Sequence, residues 1–196
     1  EIVQAILPAS RETNIRAALL YGLLGQETGY GANLGKTESA WSNLCQNLNT
    51  PDCNNWRVYD CKSDYLNARY FEEILRRLGV ERARIPVSST CALGFAQFEP
   101  NTWWELMRVR QDKGYSPWDV HDAMLAAALY LKELGADSDE VLEPGAVMGK
   151  RDLVALQRYY CGTNYTRLEC VSYAKSVASK AQRAPVVLVQ AGLQNQ

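Results

Sequence analysis

Glu27 is the side chain whose surroundings most invite chemistry. It follows Leu20 by seven residues, Leu23 by four and Leu24 by three, so on a helix it shares their apolar face at the C-terminal end. A carboxylate there is disfavoured twice, by desolvation where that face is buried and by the negative end of the helix dipole. Both effects raise its pKa. A carboxyl that keeps its proton near neutral pH can deliver it to a leaving oxygen, which is the task of a general acid. On this pattern alone, a solvated residue closing a fraying helix is the better supported reading, and further residues are needed to reverse it.

Other reactive types are few. Cys45, Cys53, Cys61, Cys91, Cys161 and Cys170 form an even set without a C-x-x-C pair, and His121 is the single histidine, so no zinc site is expected. His121, between Asp119 and Asp122, reads as a surface or capping residue. Cys45, Cys53 and Cys61 are evenly spaced in a stretch rich in Asn, Asp and Pro, which points to at least two disulfides and an oxidising compartment. Reduced cysteines serving as small buried apolar groups are the alternative. Spacing does not choose among the roughly 15 possible pairings.

The elements that would position these residues read as helices. Ile15, Leu19, Leu20, Leu23 and Leu24 recur at helical spacing through Arg11 to Gln26, with Ser10 as N-cap and Gly29 as terminator. Leu66, Tyr70, Ile74 and Leu78 do the same over Asp64 to Leu78, between Ser63 and Gly79. Thr102-Trp-Trp-Glu105 has the form of a capping box, opening a helix that runs to Gly114. Ser116-Pro117-Trp118-Asp119 offers a hydroxyl cap, Pro at the first helical position and an acid, opening a helix through Asp122 to Leu134 that stops at Gly135. Two more helices are predicted at Lys150 to Tyr160 and Leu168 to Arg183. Val186 to Val189 could form a short strand, but one strand makes no sheet, so the predicted class is all-α. Residues 36–62 and 136–149 are left as long connections, a length that is usually functional or crosslinked, and Gln190 to Gln196 reads as a frayed end.

Composition bounds the rest. A 196-residue chain with 47% apolar and 22% charged residues is a folded globule, and with no repeat or second domain visible, residues 1–196 are expected to form one domain. Lys+Arg number 21 against 22 Asp+Glu, a net charge of −1, which argues against nucleic acid as a partner. The longest apolar stretches, Ala17 to Leu24 and Ala123 to Leu131, are of core-helix length, so no transmembrane segment is expected in this chain. No basic segment followed by an apolar one opens the sequence, so any signal peptide is expected to have been removed.

Three segments change the weight on Glu27. They are Leu23-Leu-Gly-Gln-Glu27-Thr-Gly-Tyr-Gly31, Ala92-Leu-Gly-Phe-Ala-Gln97-Phe-Glu-Pro-Asn-Thr-Trp103 and Ala155-Leu-Gln-Arg-Tyr159-Tyr160-Cys-Gly162. Together they resemble lytic murein transglycosylases of the SLT and membrane-bound type B kind, which have a lysozyme-like fold. The family's first motif is a helix ending in Glu-Ser-x-x-Gly, its second Gly-Ala-x-Gly-x-x-Gln-Phe-x-Pro-Ser-Thr, and its third Ala-x-x-x-Tyr-Asn-x-Gly. The matches keep the family's order and separation, and the resemblance covers residues 11–183.

The resemblance implies a lysozyme-like, all-α transglycosylase domain with long disulfide-crosslinked loops. Glu27 would be the sole catalytic acid, first protonating the oxygen between N-acetylmuramic acid and N-acetylglucosamine. It would then take the proton of the muramyl C6 hydroxyl as that oxygen closes onto C1, giving a 1,6-anhydro sugar without consuming water. Gln97 falls on the motif glutamine of the substrate groove, Phe98 beside it, and Ser88 near a serine that precedes the second motif in some relatives. Tyr159 falls on the tyrosine that flanks the cleavage site, where a phenol can stabilise an oxocarbenium-like transition state, with Tyr160 next to it. Tyr30, like Tyr70, Trp103, Trp104 and Trp118, could stack on a sugar ring, although aromatics at helical spacing are more often core. The implied partner is a peptidoglycan glycan strand, with no metal or organic cofactor. The implied setting is extracytoplasmic (periplasm, cell envelope, or secreted and virion-associated), as a monomeric domain alone or within a longer protein or cell-envelope machine.

The sequence departs from the family at four positions. Thr28 replaces Ser, keeping the hydroxyl; Cys91 stands where Gly is usual; Glu99 replaces an apolar residue; and Tyr160 replaces Asn. At Cys91, either backbone freedom is lost or a disulfide does the bending. Glu38-Ser-Ala-Trp41 imitates the first motif without an apolar helix before it. Two rival functions remain. A hydrolase on the same fold would need a second carboxylate, for which Glu38, Asp60 and Asp119 are candidates, held roughly 6.5 to 9.5 Å from the acid in an inverting enzyme. A cell-wall binding protein with a relic groove would need no catalytic group at all. Asn164-Tyr-Thr166 has the form of a glycosylation sequon, and Arg76-Arg77 and Lys150-Arg151 read as solvated helix faces.

Overall fold

The computed structural model describes residues 1–188 except 47–48, 60, 62–64, 109, 111–113, 141 and 143–145. Along these residues run α1 (Ile2–Thr13), α2 (Ala17–Thr28), α3 (Glu38–Cys45), α4 (Pro51–Tyr59), α5 (Tyr65–Leu78), α6 (Pro100–Met107), α7 (Val120–Glu133), α8 (Lys150–Cys161) and α9 (Leu168–Ala181). Among the described residues there are no strands, only isolated antiparallel bridges, and the class is all-α. The chain divides into two compact units, Glu1–Gly31 with Val120–Gln196, and Ala32–Asp119.

In the first unit α2 is buried nearly all round, with Leu19, Leu20, Leu23 and Leu24 fully enclosed. A helix without a polar face is stable only when other helices surround it, and α1, α7 and α9 do so, with α8 packed on α7 and α9. Gly22 sets the approach of α9. A Cβ on Gly22 would lie 2.5 Å from the Val177 carbonyl oxygen and 2.9 Å from the Ala181 Cβ, so only a bare Cα lets the two backbones meet.

The single helix expected from Arg11 to Gln26 is two. Asn14 adopts a left-handed conformation (φ 58°) that ends α1, and the Ser10 hydroxyl, rather than capping a helix start, donates to the Ile15 carbonyl at 2.6 Å. The break is set from far along the chain. Arg16, 5% exposed, pairs with Asp152 at 2.6 Å and donates to the carbonyls of Asp137, Ser138 and Glu140. A buried guanidinium is tolerable only with its donors satisfied, and this requirement clasps the segment after α7 to the start of α2.

In the second unit, α3 and α4 occupy part of what the sequence left as a loop from 36 to 62. Cys45–Cys53 joins them, and Trp41 stacks on Trp56 at 5.9 Å. Cys61–Cys91 ties the approach to α5 to the second motif segment, and α5 packs on α6. Trp41 donates to the Val87 carbonyl at 2.9 Å and Trp118 to that of Pro86 at 2.8 Å, while Trp103 is buried, so these three rings serve packing. Trp104 stacks on Tyr70 at 5.4 Å beneath the Arg77 guanidinium.

Other boundaries moved for local reasons. α6 begins at Pro100, with Glu99 as N-cap, rather than at Thr102, and ends at Met107, short of Gly114. Ser116 to Asp119 is a turn before α7 rather than its first turn, because the Pro117 carbonyl accepts from the Phe95 amide. Residues 186–188 are helical rather than extended, with Leu188 buried. Ser63, Asp60 and Gln190 to Gln196 lie outside the described residues. No described helix is long and apolar enough to cross a membrane.

Candidate active site

The first unit builds its site where α2 stops. Gly29 takes a left-handed conformation, the amides of Gly29 and Tyr30 both return to the Leu24 carbonyl, and the buried Thr28 hydroxyl accepts from the Gly31 amide at 3.0 Å. This arrests the helix one residue after Glu27 and holds the carboxyl on the last turn. Thr28 thus closes the turn after α2 with its hydroxyl.

Glu27 is partly buried, and burial pushes its carboxyl from the ordinary 4.5 up to about 7, against the opposing effect of a hydrogen bond from Tyr173. The Tyr173 hydroxyl donates to Glu27 Oε1. Tyr159 sits close enough to feel the same carboxylate: burial first, then the charge of Glu27, hold its phenol well above its ordinary pKa. Burial and Glu27 act on Tyr173 in the same way. Both phenols therefore stay neutral and keep a proton to donate. Tyr159 packs on Tyr130 at 5.4 Å, and Tyr160 lies flat on Tyr173 at 4.5 Å with an interplanar angle of 5°. Next to the acid, Gln26 Oε1 accepts from the Ser176 hydroxyl and the Lys180 ammonium, both at 2.7 Å, which pins the end of α2 to α9.

Glu27, Tyr159 and Tyr160 are thus brought into one cluster, with Tyr173 and Tyr130 added by the fold. Tyr173 escaped the sequence reading because it lies on the α9 face with Cys170, Ala174 and Val177, where an aromatic reads as core. Tyr30 lies just past the end of α2, with a left-handed backbone (φ 62°). Its ring covers Gly25 and pairs with Tyr21 at 4.7 Å, and burial together with a hydrogen bond to Tyr21 raises its phenol to about 12.

The second unit carries the second motif as a tight hairpin. Leu93 and Phe98 exchange backbone hydrogen bonds at 2.8 and 3.2 Å, and Gly94 (φ 65°) presses so closely on the Pro117 carbonyl that no Cβ fits. Gln97 is left-handed as well (φ 52°), and its amide nitrogen donates to the Gly94 carbonyl at 2.8 Å. Ser88 caps the turn before it, accepting from the Ala92 amide at 2.8 Å and the Thr90 amide at 3.2 Å. Phe98 is 3% exposed and packs on Trp103, a core ring of this unit rather than a surface a glycan could touch. Cys91 has a left-handed backbone (φ 67°) and is bridged to Cys61. Glu38 opens α3 rather than ending an apolar helix and pairs with Arg82 at 3.2 Å, and Asp119 lies in the turn before α7. His121 is exposed. Among the described residues, no group of three or more His, Cys, Asp or Glu could hold a metal ion.

A proton-bearing carboxyl between neutral phenols can protonate a leaving group and stabilise the cation left behind. The fold sets the class first: it is the lysozyme-like fold of lytic transglycosylases. A 36 kDa muramidase/transglycosylase superposes with a TM-score of 0.62 at 18% identity, over 98% of this chain and 71% of that one. The Escherichia coli lytic transglycosylase Slt35, solved with bulgecin A, gives 0.61 at 19% identity over 98% and 70%. The soluble lytic transglycosylase SltB1 of Pseudomonas aeruginosa gives 0.58 at 18% identity over 92% and 74%. The family follows from the sequence itself: residues 3–182 match the transglycosylase SLT domain, and the chain belongs to that family of glycosidic-bond-cleaving enzymes. No curated protein matches it.

Proposed function

We propose that this chain is a catalytic domain that cleaves the β-1,4 bond between N-acetylmuramic acid and N-acetylglucosamine in peptidoglycan by transglycosylation. Protonated Glu27 gives its proton to the glycosidic oxygen as the bond from C1 to that oxygen breaks. The Glu27 carboxylate then accepts the proton of the muramyl C6 hydroxyl while that oxygen bonds to C1, so the acid is regenerated and no water enters. Tyr159 and Tyr173, as neutral phenols, supply oxygen dipoles beside the developing cation. Gln97 is assigned to the groove by its motif, and Ser88 supports the hairpin that carries it.

The observation that carries this reading is the Glu27 carboxyl, desolvated at the arrested end of a buried helix and hydrogen-bonded by Tyr173. Three disulfides support an oxidising, extracytoplasmic setting, where the polymer lies. The test is mass spectrometry of sacculi digested by wild type and by Glu27→Gln. Wild type is expected to release anhydromuramyl products, one water lighter than hydrolysed ones, and the amide variant to lose about two to four orders of magnitude in turnover with its fold kept. Free reducing ends would make the enzyme a hydrolase, and full activity in Glu27→Gln would remove Glu27 from the chemistry.

A further inference from the structure

Tyr160 is 57% exposed, an unusual place for a large ring. Its inner face packs on another ring. It lies parallel to Tyr173, centroids 4.5 Å apart, and Tyr173 is the side chain whose hydroxyl rests on Glu27. The last turn of α8 that carries Tyr160 is anchored independently of that stack. Cys161 is bridged to Cys170 at the start of α9, the Arg158 guanidinium covers the Tyr165 ring at 4.8 Å, and the Cys170 sulfur contacts the Asn164 carbonyl at 3.5 Å. The end of α8 and the first turns of α9 thus face each other with one aromatic plate each. Tyr173 reaches the carboxyl through two rotatable bonds, and a plate stacked on its ring restricts the rotations that would swing the hydroxyl away.

We propose that Tyr160 is a positioning residue: by stacking on Tyr173 it holds the Tyr173 hydroxyl on the Glu27 carboxyl and so sets how tightly that acid keeps its proton. The proposal rests on the reading of Glu27 as the proton donor. It gives a purpose to a position where the family motif carries Asn, a side chain with no ring to stack. The groups that face Glu27 or its partners are Tyr173 and its neighbour Tyr160, Tyr159 with Tyr130 behind it, and Lys180, which is drawn to Gln26. Tyr173 hydrogen-bonds the carboxyl and lowers its pKa.

The test reads the acid directly, without substrate, by 13C NMR titration of the Glu27 side-chain carboxyl. The proteins are wild type, Tyr160→Phe, Tyr160→Leu and Tyr160→Asn, each with and without Tyr173→Phe, and thermal melts accompany each. Tyr160→Phe keeps the plate and is expected to titrate as wild type does. Tyr160→Leu and Tyr160→Asn are expected to move the midpoint upward by about half a pH unit or more, in the direction of Tyr173→Phe, since a hydrogen bond that favoured the charged form is weakened. In the Tyr173→Phe background they are expected to add nothing. An unmoved midpoint in both the Leu and Asn variants, or an equal shift with and without the Tyr173 hydroxyl, overturns the proposal. Because the titration needs no turnover, a protein that failed the sacculus assay would refute the proposed reaction while leaving this result to stand or fall separately.

Discussion

A carboxyl raised from 4.5 to about 7 by burial holds its proton more tightly in the folded chain than in the unfolded one. Between those two values the native state binds more protons, so stability falls as pH climbs through the window and is fully present only below it. Keeping the Glu27 charge in place above pH 7 corresponds to about 3 kcal/mol. Glu27→Gln removes that cost while still accepting the Tyr173 hydroxyl, so it is expected to melt several degrees above wild type at pH 8, with the gap shrinking toward pH 5. Differential scanning calorimetry at both pH values measures it, and equal melting temperatures at pH 8 would mean the carboxyl is solvated. Activity runs the other way. The acid is needed protonated, so kcat/KM is expected to fall as pH rises through about 7. In Tyr173→Phe, which loses the hydrogen bond that lowers the Glu27 pKa, that limb should move to higher pH.

The acid and its partners stand on α2, α8 and α9, so their register depends on how closely those helices meet. Gly22 is the narrowest point. Gly22→Ala would favour the helix intrinsically by up to about 1 kcal/mol, yet it drives a methyl into the Val177 carbonyl, a backbone atom that cannot step aside. Overpacking wins: a net loss of about 1–3 kcal/mol by urea unfolding is expected. A drop in kcat should accompany it, because the displaced interface is the one that brings Tyr173 to Glu27. At this scale the sequence was readable wherever the cause was local. Gly29 and Gly135 mark the ends of α2 and α7 by their left-handed backbone, and the apolar stripe put Glu27 on the buried face. It was unreadable where the cause lay far along the chain. Arg16, just past the break at Asn14, answers to Asp152, and the short polar helices α3 and α4 are held by a disulfide and a tryptophan pair rather than by their own periodicity. Tyr173 was missed for the same reason, since its role is defined only by a carboxyl 146 residues away.

At the scale of the whole chain the crosslinks divide as the units do. Cys161–Cys170 lies in the first unit, while Cys45–Cys53 and Cys61–Cys91 lie in the second. Cysteine spacing left that pairing open, because a bridge depends on which loops the fold brings together. All six cysteines are paired, so thiol labelling of the denatured, unreduced protein should find none free. The bridges differ in what they hold. Cys161–Cys170 spans 9 residues and Cys61–Cys91 spans 30, and in the chain-entropy picture the longer loop is worth more, about 4 kcal/mol against about 3. Cys91 adds a second effect, since its φ of 67° is one that glycine takes freely and other residues adopt at a cost of about 1–2 kcal/mol. The family motif has Gly at this position. Cys61→Ser/Cys91→Gly should therefore be more stable in urea unfolding than Cys61→Ser/Cys91→Ser, by about 1 kcal/mol, although neither retains the crosslink. If the serine pair proved the more stable, the bend at Cys91 would come from the bridge and relax without it, rather than from the surrounding hairpin packing.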